Sequence, residues 1–104
     1  MTSKSNQRKN RRVECFAPAR AEGPRGPMSG LCRNLSRGGM FFLGGQLPVG
    51  HSIDLSVELP QLGPIQAIGE VRYHHAYPDG GGMGIRFTRM AQEDLQRLQR
   101  YVEG

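Results

Sequence analysis

The sequence predicts an all-β domain of six short antiparallel strands, followed by one C-terminal helix. Three observations predict it. Residues Ile53–Leu59 place Ile, Leu, Val and Leu at odd positions with polar residues between them, the period of two of a half-buried strand. Similar apolar runs recur along the chain and are punctuated by Gly- and Pro-rich turns. Beyond Phe87 the period changes, and Ala91, Leu95, Leu98 and Val102 recur at helical spacing. Six strands and one covering helix form the order expected of a small barrel with a helical plug.

The elements follow in order. Residues 1–12 are polar and basic and are expected to form a flexible arm ahead of the barrel, which takes up residues 13–104. Val13–Ala21 is the first strand, and Pro18 within it suggests an edge position or a bulge. Gly23-Pro24-Arg25-Gly26-Pro27 is a hairpin connection. The second strand is Ser29–Asn34, the Ser36–Gly39 turn follows, and Met40–Leu43 is the third. Gly44-Gly45 and Pro48-Val49-Gly50 lead to the fourth, Ile53–Leu59. Pro60–Pro64 turns into a long fifth strand from Ile65 to about Ala76. Its alternation sets Ile65, Ala67, Gly69, Val71 and Tyr73 on one face, and Gln66, Ile68, Glu70, Arg72 and His74 on the other. Asp79-Gly80 with Gly81-Gly82 signals a hairpin into the sixth strand, Met83–Phe87. Thr88 or a nearby residue is the expected cap of the closing helix.

The 104 residues suffice for one domain with a modest core. The formal net charge is +5, and five of the fourteen basic residues lie between Lys4 and Arg12, an asymmetry that suits a polyanionic partner. No apolar stretch is long enough to span a bilayer, and no apolar segment follows the basic N-terminus as in a secretory signal, so a cytoplasmic protein is expected. Cys15 and Cys32 are expected to be reduced and to serve as small strand hydrophobes. His74 and His75 point to opposite faces and His51 is remote in sequence, so no metal site is expected. Gly80-Gly81-Gly82 lacks the Gly-Lys-Ser/Thr ending of a phosphate-binding loop. No nucleophile–base pair or carboxylate pair stands out, so the reading is a non-enzymatic protein without a cofactor.

Two polar clusters carry the chemistry. Arg8-Lys9-Asn10-Arg11-Arg12 reads as Arg-x-x-x-Arg ahead of the first strand, and Asn34-Leu35-Ser36-Arg37-Gly38-Gly39 reads as Asn-x-Ser-x-x-Gly between two apolar runs. Guanidiniums present donor forks that fit the O6/N7 edge of guanine or the oxygens of a phosphate. An amide and a hydroxyl add donors and acceptors for a base edge. Glycine permits a positive φ or lets the backbone come close to a ligand. In this order the two clusters resemble the paired motifs of the PilZ domain family, small β-barrels that sense cyclic di-GMP. Gly69-Glu70-Val71-Arg72, the Gly82–Phe87 strand and the closing helix extend the resemblance over most of the chain.

The resemblance implies a six-stranded antiparallel PilZ-like β-barrel with a C-terminal α-helix, acting as a receptor for cyclic di-GMP that signals to an unknown protein partner. It implies that Arg8 and Arg12 hold guanine edges and phosphates, and that Asn34, Ser36 and Gly39 complete the site. Asn34 stands where family members carry Asp or Asn, and it can both donate and accept. Arg11 can stack on a base, and Arg72 can flank the ligand from a neighbouring strand. The plain readings are a solvated basic run for the arginines and a capped turn for Asn34 and Ser36. Two rival functions remain: a protein-interaction module that binds no nucleotide, and a basic RNA- or DNA-binding barrel. Nucleic acid is not expected, because the sequence shows no interleaving of basic and aromatic residues of the kind a stacking platform uses.

Overall fold

A computed structural model describes residues 12–78 and 80–103. Six strands, β1 (Val13–Gly23), β2 (Gly26–Leu35), β3 (Gly39–Leu43), β4 (Ser52–Leu59), β5 (Gly63–Tyr77) and β6 (Gly80–Met90), precede one helix, α1 (Gln92–Glu103). The strands close into an antiparallel barrel in the order β1-β2-β3-β6-β5-β4. Closure gives every strand a hydrogen-bonded neighbour on each side and removes the long free edges that an open sheet exposes.

Alternation places the core. Ile53, Leu55, Val57 and Leu59 of β4 all point inward, as their period of two requires. They meet Ala17, Ala19 and Ala21 of β1, Cys32 and Leu35 of β2, Phe42 of β3 and Ile85 of β6. Three small residues on β1 leave room for the larger side chains opposite. Leu98 and Val102 of α1 are buried in the same core, with Leu95 and Tyr101 packed against it. Glu93 and Asp94 occupy the first turn of α1 and Arg100 the last, each sign matching the helix dipole.

Several expectations are corrected. Pro18 sits in a closed barrel rather than at the edge of an open sheet, yet on a stretch of β1 that β4 leaves unpaired, two residues past Phe16 of the β1 bulge. It lies one residue beyond the β1–β4 pairing, which begins at Ala19, so its missing N–H leaves no gap in that ladder. Thr88 does not cap the helix. It lies within β6, where its hydroxyl donates to the Ile68 carbonyl at 3.1 Å, and the first helical bond instead reaches the Ala91 carbonyl. The strands are longer than their apolar runs, because backbone pairing continues past the last inward side chain: β6 runs from Gly80 to Met90. Gly80 already pairs with Tyr77, while Asp79 of the expected hairpin turn lies outside the described residues.

Bulges decide which face a residue takes. Cys15 and Phe16 together oppose Arg33, and Phe16 adopts a left-handed φ of 52° there. Arg33 is also the extra residue of β2 against β3, which sets Leu35 rather than Asn34 in the core. Arg72 is the extra residue of β5 between Val71 and Tyr73. The face shared by Ile65, Ala67, Gly69 and Val71 therefore stops there, and Tyr73 lies on the outer wall, 43% exposed.

Candidate functional site

The end of the N-terminal arm and the β2–β3 turn meet on the barrel wall. Arg12 precedes β1, and its guanidinium donates to the Asn34 side-chain oxygen at 3.3 Å. Ser36 follows β2 and is buried at 6% exposure. Its hydroxyl oxygen accepts from the Gly38 N–H at 3.2 Å and its hydrogen is directed to the Gly39 carbonyl at 3.4 Å, while its own N–H donates to the same carbonyl at 2.9 Å. The hydroxyl is thus a turn-capping group in this arrangement, as Ser beside Gly favours.

Gly39 does not have a positive φ; the glycine is required by a close approach. A Cβ at this position would sit 2.1 Å from the Ile85 carbonyl oxygen of β6. The motif glycine therefore allows β3 and β6 to pair tightly beneath the turn. The Gly38 carbonyl extends that pairing by accepting from the Phe87 N–H at 2.8 Å. Arg37, for which the sequence pattern supplied no role, ties the turn to α1. With the Gln99 amide oriented to satisfy its neighbours, its oxygen accepts from Arg37 at 3.0 and 3.3 Å.

Beside this turn lies an open groove of about 310 Å³. Arg12, Ser36, Gly38 and Gly39 form one side, and Arg72, Tyr73, Gly84 and Arg86 form the other. Among the described residues that line it there are three guanidiniums and no carboxylate. Arg72 is the bulge residue of β5, which turns it toward the groove rather than continuing the regular alternation. Arg86 donates to Glu70 at 3.2 Å, an exposed pair that another anion can displace. The Tyr73 ring lies against Gly84, whose missing side chain makes room for it: a Cβ there would fall 2.2 Å from the ring.

The structure thus brings together Arg12, Asn34, Ser36, Gly39 and Arg72. Arg8 and Arg11 lie outside the described residues. Arg86 and Tyr73 are the groove residues that sequence reasoning missed. For Arg86 a signal existed in its pairing opposite Glu70 across two strands; for Tyr73 the bulge at Arg72 concealed its outward position.

The outer wall also gathers aromatic rings that are scattered in sequence. Phe41 packs edge-on against Tyr77 at 5.3 Å and near Tyr73 at 6.2 Å, and His75 meets Tyr77 at 4.5 Å. The Arg33 guanidinium lies over Tyr77 at 3.9 Å and over Phe16 at 5.5 Å. Basic and aromatic residues are therefore interleaved in space, although the linear sequence does not show it. Among the described residues no cluster of three metal-ligating side chains occurs, and no helix is long and apolar enough to cross a membrane.

The fold agrees with the comparisons. The PilZ domain family model matches residues 6–104, nearly the whole chain. This chain belongs to the PilZ domain family. Comparison with curated proteins finds no match. Among solved structures, the chain is similar to the Bacillus subtilis inhibitor of motility MotI/DgrA, with a TM-score of 0.81 and 22% identity over 93% of this chain and 49% of that one. It is also similar to Escherichia coli YcgR in complex with c-di-GMP, with a TM-score of 0.75 and 19% identity over 90% of this chain and 43% of that one. A third likeness is to the K. pneumonia MrkH–c-di-GMP complex, with a TM-score of 0.76 and 14% identity over 96% of this chain and 51% of that one. The chain spans about half the length of these three proteins, and at these identities the likeness concerns the fold.

Proposed function

We propose that this chain is a cyclic di-GMP receptor, not an enzyme, whose site comprises Arg8, Arg11, Arg12, Asn34, Ser36, Gly39 and Arg72. One observation carries the reading: the Arg12–Asn34 hydrogen bond joins the two motifs at the edge of a groove lined by three arginines. The ligand would be dianionic with two guanine rings. Arg12, Arg72 and Arg86 offer charge-assisted donors to its phosphates or to guanine O6/N7, and Tyr73 offers a ring face beside them. The Asn34 amide, held by Arg12, adds a donor to a base edge. Family membership, and the c-di-GMP complexes of YcgR and MrkH, support the choice of ligand.

The receptor reading includes a switch. Residues 1–12 act as an arm that the nucleotide draws onto the barrel wall, so that Arg8 joins Arg12, which already holds Asn34, and Ser36 around one ligand. Ordering such a segment costs conformational entropy that the new contacts must offset. The composite surface of arm, nucleotide and barrel is the surface a downstream protein partner would recognise.

Calorimetric titration with cyclic di-GMP, using GTP and cyclic GMP as controls, tests the ligand. Saturable binding of the dinucleotide alone supports the reading; absence of binding favours the interaction-module alternative. Amide exchange over residues 1–12 with and without ligand tests the switch, which fails if protection is the same in both states.

A further inference from the structure

The outer wall carries a second apolar cluster, separate from the barrel core. Phe41 is buried at 1% exposure yet takes no part in that core. It meets instead the rings of Tyr73, His75 and Tyr77 of β5, which reach it across β6. Gly82 and Gly84 make the crossing possible: a Cβ at Gly82 would fall 2.6 Å from the Phe41 ring. Arg33 continues the row toward β1, stacked on Tyr77 and then on Phe16. Rings and guanidinium thus run from β5 to β1 in fixed mutual contact.

Stability does not account for the β1 end of this row. Phe16 holds a left-handed φ of 52°, which glycine adopts at little cost and a residue with a Cβ does not. In return it buries only about half of its surface, being 51% exposed. A strained backbone that bears an exposed aromatic ring marks a residue kept for contact with something else. Leu31, also exposed, lies two residues before Arg33 on the outer face of β2, since Cys32 between them is buried. Among the described residues four large apolar side chains are exposed, and three of them, Phe16, Leu31 and Tyr73, belong to this wall.

We propose that the wall centred on Phe16, Leu31, Arg33 and Tyr77 docks a protein partner through an acidic segment that carries an aromatic or large aliphatic side chain. The partner's apolar side chain packs on Phe16 and Leu31, and its carboxylates face the guanidiniums of the wall. Charge complementarity selects this occupant. Arg33 lies at the centre and Arg12 and Arg72 stand on the groove side, while Glu14 is exposed at the β1 margin and Glu70 is already engaged by Arg86. Aromatic rings and arginines dominate the energetics of protein interfaces, and side chains that already hold one another lose little freedom on binding. A second copy of this chain would instead bring like charges together, since the formal net charge is +5. Base stacking needs open ring faces, whereas Arg33 occupies the face of Tyr77 at 3.9 Å and Phe41 is buried. None of the four central residues lines the nucleotide groove, so the surface does not rest on the receptor reading.

A random dodecapeptide library displayed on phage, selected on the immobilised full chain without nucleotide, tests the surface. Enriched peptides should carry Asp or Glu residues flanking a Phe, Trp or Leu. The strongest of them, synthesised with a fluorophore and read by anisotropy, should lose about tenfold in affinity against Phe16→Gly and against Arg33→Gln. Phe16→Gly should unfold in guanidinium at or above the wild-type midpoint, because glycine relieves the left-handed backbone. Loss of peptide binding in that variant is then not loss of fold. Peptides without acidic enrichment, or a selected peptide that binds both variants within twofold of wild type, would overturn the proposal. So would single-stranded RNA or phosphatidylserine vesicles that bind more tightly than the peptide and lose that binding in Phe16→Gly, an outcome that assigns the wall to nucleic acid or lipid. A Phe16→Gly midpoint well below wild type would overturn it as well, because the ring would then serve stability.

Discussion

A methyl group added at Gly39 should break the barrel where the motif turn meets β6. The Cβ of Gly39→Ala would lie 2.1 Å from the Ile85 carbonyl oxygen, 3.2 Å from its carbon and 3.3 Å from the Arg86 Cα. All three are backbone atoms, so no side chain can swing aside. Carbon and oxygen do not approach within 3.0 Å, so β3 and β6 must part by nearly 1 Å at this point. That movement strains the Ser36 N–H to Gly39 and Phe87 N–H to Gly38 bonds, which hold the turn. Overpacking of this kind costs about 1–3 kcal/mol, and two weakened bonds add roughly 1 kcal/mol, giving a loss of about 2–4 kcal/mol. For a domain of this size the melting temperature should fall by roughly 10–25 °C.

Gly84→Ala provides the contrast. Its Cβ would strike the Tyr73 ring at 2.2 Å, but that ring is 43% exposed and can rotate into solvent. Its stability loss should be about 1 kcal/mol or less, while the wall of the groove changes shape. Guanidinium denaturation of both variants, with midpoint and slope compared to wild type, measures the difference. A Gly39→Ala chain within about 0.5 kcal/mol of wild type, or a Gly84→Ala chain less stable than it, would refute the backbone-clearance argument.

Other outcomes follow from the same geometry. Arg12→Ala should weaken cyclic di-GMP binding by about one to two decades, the worth of one charge-assisted contact, with little change in melting because Arg12 is exposed and outside the core; an affinity within twofold of wild type by calorimetry contradicts its role. Ser36→Ala should lose about 1 kcal/mol of stability through its turn bonds, and paired denaturation and titration would show whether affinity falls further than that. Glu70→Gln releases Arg86 and removes a negative charge near the groove, so dinucleotide affinity should rise roughly twofold at low salt and less at high salt. Iodoacetamide labelling of Cys15, read by peptide mass, should rise with pH through about 6 and level off above roughly pH 7, because the thiolate is the reactive form and the folded protein lowers its pKa. A rate still climbing through pH 9 would mean an ordinary thiol.

Much of the fold was legible because periodicity reports burial directly. The alternation of Ile53, Leu55, Val57 and Leu59 set β4 in the core, and the spacing of Leu95, Leu98 and Val102 identified the packed face of α1, whereas Ala91, read with them, is exposed and precedes the helix. Both are local consequences of backbone geometry. The two polar clusters were likewise visible, and with them the family. Arg12, Asn34, Ser36 and Gly39 came from that pattern, but its chemistry was read too generally: the glycine was expected to allow a positive φ or a close approach to a ligand, and it provides clearance for a neighbouring strand.

What only the tertiary structure decided lies downstream of the bulges. One extra residue at Arg33, and another at Arg72, changes which side chains face the wall, and the extra residue exists only relative to a paired strand. Tyr73 therefore stands outside over Gly84, although simple alternation placed it with the core. The same closure sets Arg33 over Tyr77, across a separation in sequence that no local pattern spans. A strand's own residues specify its period; its phase is set by the neighbour with which it shares hydrogen bonds.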